Sequence, residues 1–391
     1  MAAVLDSPAS YGNVKLDDSP FEVSWLIETL NERDPDFQLI NKEHAIRNVK
    51  AVNISGGKGF VSKVYKCSIE FESSQPDYDV ILKVPGGEAL VSAFESAGSS
   101  NPFEDGTQII NFHNNECDFY DDFAAKINFP SPKMFSTRKW IKDAQVGYLL
   151  MEDMSGRGEN ACLFAGWSRI QLLVMAKHIA HFQHYFLTVP NQSWQDRFSI
   201  ENNLESQSVV DFTLPLHEKV IEMRPETFRE KIKPFFEASK HKKFHEYVLV
   251  HHSKDLGLPY VLSHGDLWSN NIMWKVDERG NITNEVAAVI DYQIVHTGSV
   301  TNDLARLLVC CTDADVRRQH EIEVKEAYKI SQICQTSDTL WMVPLFCCGE
   351  KKTGSETLWE ARTEKLLLRA SLALDDALKV LETIPRERIE D

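Results

Sequence analysis

The sequence predicts an α+β chain of two lobes. An antiparallel sheet with one helix should occupy residues 1–150, and a larger, mainly helical lobe residues 151–391. Three observations predict this. β-prone segments crowd the first lobe, at 51–54, 60–67, 80–84 and 148–151. Long amphipathic segments mark the second, at 167–187 and 359–381. Within the second lobe a short polar loop lies between two apolar runs, Tyr260-Val261-Leu262 and Ile272-Met273-Trp274.

The first residues read as a polar lead and a short helix around 21–30. The segment 51–54 runs into Ser55-Gly56-Gly57-Lys58-Gly59 and a second strand. Gly56, Gly57 and Gly59 suit a flap over phosphates, because glycine lets the backbone come close, although many hairpins share this pattern. A third strand, Val80-Ile81-Leu82-Lys83-Val84, carries a lysine inside an apolar run. Such an ammonium needs an anion. Glu116, on a helical segment at 115–120, is the expected partner, with Asp118 and Asp121 as rivals. Residues 86–107, rich in Gly, Ser, Ala and Asn, are expected to form a mobile insert.

A strand at 148–151 leads into Glu152-Asp153-Met154, where a connector between lobes should fall. Backbone groups there, at Glu152 and Met154, are expected to meet an adenine edge, with Met151 and Met154 as apolar walls. The helix at 167–187 should bury Ile170, Leu173, Val174, Phe182 and Tyr185, with His178 and His181 on the same stripe. Packed core histidines are the expectation there, since no carboxylate joins them at ligand spacing. The helix at 359–381 should bury Leu367, Ala370, Leu374, Leu378 and Leu381.

The loop itself reads His264-Gly265-Asp266-Leu267-Trp268-Ser269-Asn270-Asn271. Downstream, an apolar run from Val286 to Ile290 ends at Asp291, and 277–281 reads as the turn of a hairpin that returns Asp291 to the same place. Phosphoryl transfer leaves little covalent work to the protein; it needs positioning and charge neutralisation. One carboxylate, Asp266, can receive a hydroxyl proton. An amide oxygen, Asn271, and a second carboxylate, Asp291, can hold a metal against phosphates.

With these parts in order, the chain resembles the choline kinase and aminoglycoside phosphotransferase superfamily, and within it the ecdysteroid kinase-like (CHK kinase-like) family. The likeness rests on the loop text from His264 to Ile272, then Ile290-Asp291-Tyr292-Gln293, Gly298, and Asn302-Asp303-Leu304-Ala305. It spans roughly residues 50–370. It implies a bilobal protein-kinase-like fold that uses ATP and Mg2+. It implies Asp266 as catalytic base, Asn271 and Asp291 as magnesium ligands, and Lys83 with Glu116 at the phosphates. His264 and Asp303 would support the loop, although Asn302 or Asp303 could equally cap the helix that follows.

The resemblance also implies a small-molecule alcohol as acceptor: a steroid, a glycoside or another lipophilic alcohol. An aminoalcohol such as choline is the alternative, and a catalytically dead nucleotide-binding scaffold is the alternative from another class. The His-Gly-Asp text lacks the arginine of His-Arg-Asp protein kinases, and eleven residues separate Asp291 from Asp303. No peptide-docking segment fits in that interval. An acceptor pocket is expected from 155–258 and 305–375, with Trp268 a candidate wall.

Composition agrees. A net charge of −16 argues against nucleic acid, whose phosphates need basic patches. No run of about eighteen apolar residues predicts a membrane span, and the N-terminal text carries no signal-peptide pattern. The eight cysteines form no CxxC framework, which argues against zinc. Thiols set in apolar segments suit a reducing, cytoplasmic location.

Overall fold

The computed structural model describes residues 14–55, 61–87, 91, 103, 105–200, 206–321, 326–347 and 355–391. The Gly56, Gly57 and Gly59 turn and most of the expected insert at 86–107 lie outside the described residues.

Two short helices open the first lobe, α1 (Val23–Arg33) and α2 (Pro35–Glu43). Pro35 and the Asp34 carboxylate, which accepts from the Asp36 amide, start α2 where orphan amides need an acceptor. The strands β1 (Ile46–Asn53), β2 (Ser62–Phe71) and β3 (Tyr78–Pro85) form an antiparallel meander. A helix, α3 (Thr107–Asp122), intervenes before β4 (Met134–Arg138) and β5 (Tyr148–Glu152). The sheet order is β1-β2-β3-β5-β4, so β3 is central and Lys83 pairs across to Val64 and Leu149. Alternate side chains of β2 and β3 (Tyr65, Cys67, Ile69; Val80, Leu82, Val84) pack with Leu26 and Leu30 of α1 into one core.

The second lobe holds a three-stranded sheet, β6 (Gly158–Asn160), β8 (Ile272–Val276) and β9 (Ile282–Val289), ordered β6-β8-β9. A two-stranded ribbon pairs β7 (Tyr260–Ser263) with β10 (His296–Ser299). Its longer helices are α4 (Arg169–Thr188), α5 (Ser206–Met223), α6 (Asn302–Cys311), α7 (Glu326–Cys347) and α8 (Glu356–Leu381). The β8–β9 turn is the expected one. The Asp277 carboxylate accepts from the amides of Arg279 and Asn281, and Gly280 takes the left-handed conformation.

One expectation was out of phase. The buried face of α4 is Leu172, Met175, Ile179, Phe182 and Phe186, whereas Ile170 and Leu173 are exposed. His181 and His184 face solvent, and only His178 is half-buried, edge-on to Phe129. The helix is apolar on more than one side, so its composition could not choose the phase; packing against β7 and β9 did. The stripe expected in α8 holds for Leu367, Ala370, Leu374 and Leu381.

Buried histidines make the fold acid-sensitive. Burial pulls His113 and His217 down to about 4 from 6.5. Each therefore supports the fold above pH 6.5 and withdraws that support as pH falls through about 4. The melting temperature of His217→Gln should consequently fall less than that of the parent between pH 6.5 and 4. Parallel acid-induced losses in the two proteins, followed by calorimetry, would remove His217 from this account.

Candidate active site

Lys83 sits at the centre of the sheet with its ammonium almost wholly buried. It donates to Glu116 Oε2 at 2.7 Å and to Asp291 Oδ1 at 2.6 Å. Glu116 comes from the buried face of α3, and Asp291 follows β9. The rivals are engaged elsewhere: Asp118 pairs with Lys139 and Arg197, and Asp121 accepts from Thr137.

Burial alone would lower the Lys83 ammonium; Asp291 first and Glu116 second reverse this and raise it. Burial raises the Glu116 carboxyl, and Lys83 opposes that rise. These directions differ within one ion pair because a single ammonium serves two acids. Asp291 has the larger influence on Lys83, and negative charge remains in excess.

Asp291 reaches this place on strained backbone, with φ +71° at a residue that has a Cβ. Its neighbours hold it. Tyr292 stacks on Phe119 at 3.9 Å, lies against His264 and meets the Ser131 hydroxyl at 3.0 Å. Asn115, beside Glu116 on α3, donates to the carbonyls of Gln293 and Val295.

The loop after β7 is braced from α6. Asp303 accepts from the His264 amide (2.9 Å) through one oxygen and from the Gly265 amide (3.1 Å) through the other. It is therefore a brace and not a cap; Thr301 occupies the cap position. Gly265 has φ +82°, and a Cβ there would lie 2.3 Å from the Ile294 carbonyl oxygen, so glycine is required. His264 Nε2 is set against the Ile290 carbonyl and Nδ1 against the Asp266 amide. That pairing requires the Nε2–H neutral ring, and burial lowers its pKa accordingly.

Asp266 and Asn271 come together as the spacing suggested. Asn271 Nδ2 donates to the Asp266 carbonyl and to Oδ2, each at 2.9 Å. Its Oδ1 has no hydrogen bond among the described residues. Asn271 Oδ1 and the Asp291 carboxylate are hard oxygen donors, and the excess negative charge around Lys83 suits a divalent cation. Two protein ligands are few, but a magnesium ion usually completes its shell with phosphates and water.

At the connector, part of the backbone is already paired. The Glu152 amide donates to the Lys133 carbonyl, and its carboxylate accepts from the Lys133 amide and Arg157. The Met154 carbonyl accepts from the amides of Arg157 and Gly158, and its sulfur faces Arg157. The turn into β6 thus uses the Glu152 amide and the Met154 carbonyl, while the Met154 amide has no acceptor among the described residues.

A cavity of about 260 Å³ opens beside Asp266. Its walls come from α5, the 245–249 segment and α7, as expected. They also include Phe103, Phe112 and the 293–296 segment, which were not expected. Trp268 is one wall. Sequence reading missed Arg306, Gln335 and Asp338. Arg306 is buried and pairs with both Asp266 and Asp338. The signal was present: Arg306 interrupts an apolar helical run just as Lys83 interrupts an apolar strand.

The fold is protein-kinase-like, an antiparallel sheet followed by a mainly helical portion. The chain belongs to the DUF1679 family, whose profile carries the description "Uncharacterized oxidoreductase dhs-27" and matches residues 38–339. A Caenorhabditis elegans protein of that description is 27% identical over 309 residues, covering 76% of this chain and 35% of its own length. The chain thus spans about a third of that relative, and the word oxidoreductase belongs to the relative as a whole. The C. elegans "Uncharacterized kinase-like protein D1044.1" is 23% identical over 297 residues, covering 72% of this chain and 73% of that protein.

Among solved structures, choline kinase from Cryptosporidium parvum is similar with TM-score 0.50 at 12% identity, over 92% of this chain and 96% of that one. An aminoglycoside 2'-phosphotransferase in complex with GDP is similar with TM-score 0.47 at 13% identity, over 89% and 97%.

The Asp303 brace can be tested directly. Asp303→Ala orphans two buried amides and should cost about 3 kcal/mol of stability. Urea unfolding within about 0.5 kcal/mol of the parent, the range of an ordinary surface change, would show that the loop stands without it.

Proposed function

We propose that the protein is an ATP- and magnesium-dependent phosphotransferase that moves the γ-phosphate to a hydroxyl of a small molecule. The observation that carries this reading is Lys83 bonded at once to Glu116 and Asp291, with Asp266 and Asn271 joined on the adjoining loop. Residues 1–150 would hold the nucleotide, and residues 151–391 the acceptor.

Lys83 would contact the nucleotide phosphates, kept in place by Glu116. Asn271 and Asp291 would hold magnesium, which neutralises phosphate charge when bound. Asp266 would orient the acceptor hydroxyl and receive its proton as the new O–P bond forms; the bond from the γ-phosphorus to the β–γ bridging oxygen breaks and ADP leaves. The cavity beside Asp266 is the acceptor site in this reading, and its aromatic walls suit a lipophilic alcohol.

An ecdysteroid kinase-like substrate range, a steroid or glycoside, is the finer reading, and a cytoplasmic setting suits the reduced, mostly buried thiols. An aminoalcohol acceptor is the second reading, favoured by Asp338 and Glu246 on the cavity wall. A non-catalytic scaffold is disfavoured because every charged position of the site is filled.

Asp266→Asn should retain nucleotide binding and lose turnover by about 10²-fold or more. An ATP-consumption screen across alcohol classes supplies the assay. Turnover of the variant equal to the parent would take Asp266 out of the reaction.

Lys83 and Glu116 should behave as one unit. Their substitutions to Met and Gln should be strongly non-additive in kcat/KM. Additive losses in the double-mutant cycle would separate them.

A further inference from the structure

The cavity beside Asp266 contains groups that the transfer reaction above does not use. Arg306 projects from α6 with its guanidinium buried. Nη2 donates to Asp266 Oδ1 and Nη1 to Asp338 Oδ2. Gln335 Oε1 accepts from Nη1 at 3.2 Å. The other Asp338 oxygen accepts from the Trp341 indole at 2.8 Å. Asp266, Arg306, Gln335 and Asp338 all line the one cavity.

A guanidinium is a planar fork of fixed width. Carboxylates bound to its two prongs are therefore held side by side at a set spacing. Each carboxylate oxygen offers about two lone-pair directions and accepts one hydrogen bond here, so each oxygen retains capacity for one more donor. Both Asp266 and Asp338 keep part of their side chains exposed, 17% and 20%, which leaves that capacity accessible. A ligand with two donors on neighbouring atoms can engage both acids together.

Charge sharpens the choice. Asp266 and Asp338 share the one Arg306 guanidinium, so this group of three carries a net negative charge and an anionic ligand is repelled. The remaining walls are largely apolar, with Phe212, Trp268 and Phe346 among them, so the rest of the ligand should be apolar.

We propose that Asp338 is a second acceptor-binding carboxylate, yoked to Asp266 through Arg306, and that the cavity selects an apolar molecule whose hydroxyl stands next to a second donor, a hydroxyl or an ammonium. Asp266 takes the hydroxyl to be phosphorylated, an assignment that rests on the phosphotransferase reading. Asp338 takes the neighbouring donor. Arg306 is a positioning residue that sets the distance between them.

Four probes with one eight-carbon body test this with the full chain: 1,2-octanediol, 2-amino-1-octanol, 1-octanol and 2-hydroxyoctanoate. Binding is measured by calorimetry without nucleotide, with quenching of tryptophan fluorescence as a second readout. The diol and the amino alcohol should bind about tenfold more tightly than 1-octanol, the worth of one charge-assisted hydrogen bond. The hydroxy acid should bind most weakly. Asp338→Asn should bring the diol and amino alcohol down to the level of 1-octanol.

Equal binding of diol and mono-alcohol, a preference that survives in Asp338→Asn, or no binding of any probe overturns the proposal. The comparison within the parent protein keeps the test decisive even if Asp338→Asn does not fold. Adding ATP and magnesium and weighing the products separates the two readings. Selective binding with no phosphate transferred to any probe counts against the phosphotransferase reading and leaves the paired-acid site standing. Transfer to 1-octanol as efficient as to the diol does the reverse.

Discussion

The buried ammonium of Lys83 is the constraint on which the rest of the molecule is arranged. A cation in the middle strand of a sheet, away from water, carries a desolvation penalty of several kcal/mol. Only close anions offset it, and the strand's own acid, Asp79, is paired with Lys66. One anion comes from α3, packed against the sheet, and the other from the end of the β8–β9 hairpin in the opposite lobe. The ion pair thus fixes three elements, from both lobes, at one point. Because two acids share one cation, the site keeps a negative excess suited to a metal ion. Arg306 repeats the device a short distance away, one guanidinium between Asp266 and Asp338.

Around these two cations the loop geometry is over-determined. Asp303 holds two successive amides, Gly265 admits the Ile294 carbonyl where no Cβ fits, and His264 is bonded through both ring nitrogens. Tyr292 and Asn115 pin the segment after Asp291 to α3. Such redundancy is what a strained backbone position like Asp291 needs in order to persist. The short link from Asp291 to α6 joins this region directly to the Asp303 brace.

The sequence was most informative where chemistry contradicts local environment or where spacing is short. A lysine in an apolar strand, a histidine and an aspartate two residues apart, and an asparagine five further on were readable without the fold. Their meeting follows from strand and turn periodicity, which carried Asp291 back to Asp266 correctly. The same reasoning reaches Arg306, an arginine in an apolar helix. Its partner Asp338 was not legible, because it comes from a different helix 32 residues away.

Local pattern by itself placed the strand that carries Lys83 and the hairpin that leads from Asn271 to Asp291. Their distances in the chain are bridged by regular secondary structure, whose periods of two and 3.6 residues are properties of the backbone. Tertiary structure decided what those periods leave open. It chose the buried face of α4, since a helix apolar on several sides has no preferred phase until neighbours close on it. It paired the Glu152 amide and the Met154 carbonyl locally. It placed Asp338 beside Arg306, because which buried charges meet depends on how helices dock, and docking is set by the whole core rather than by any one segment.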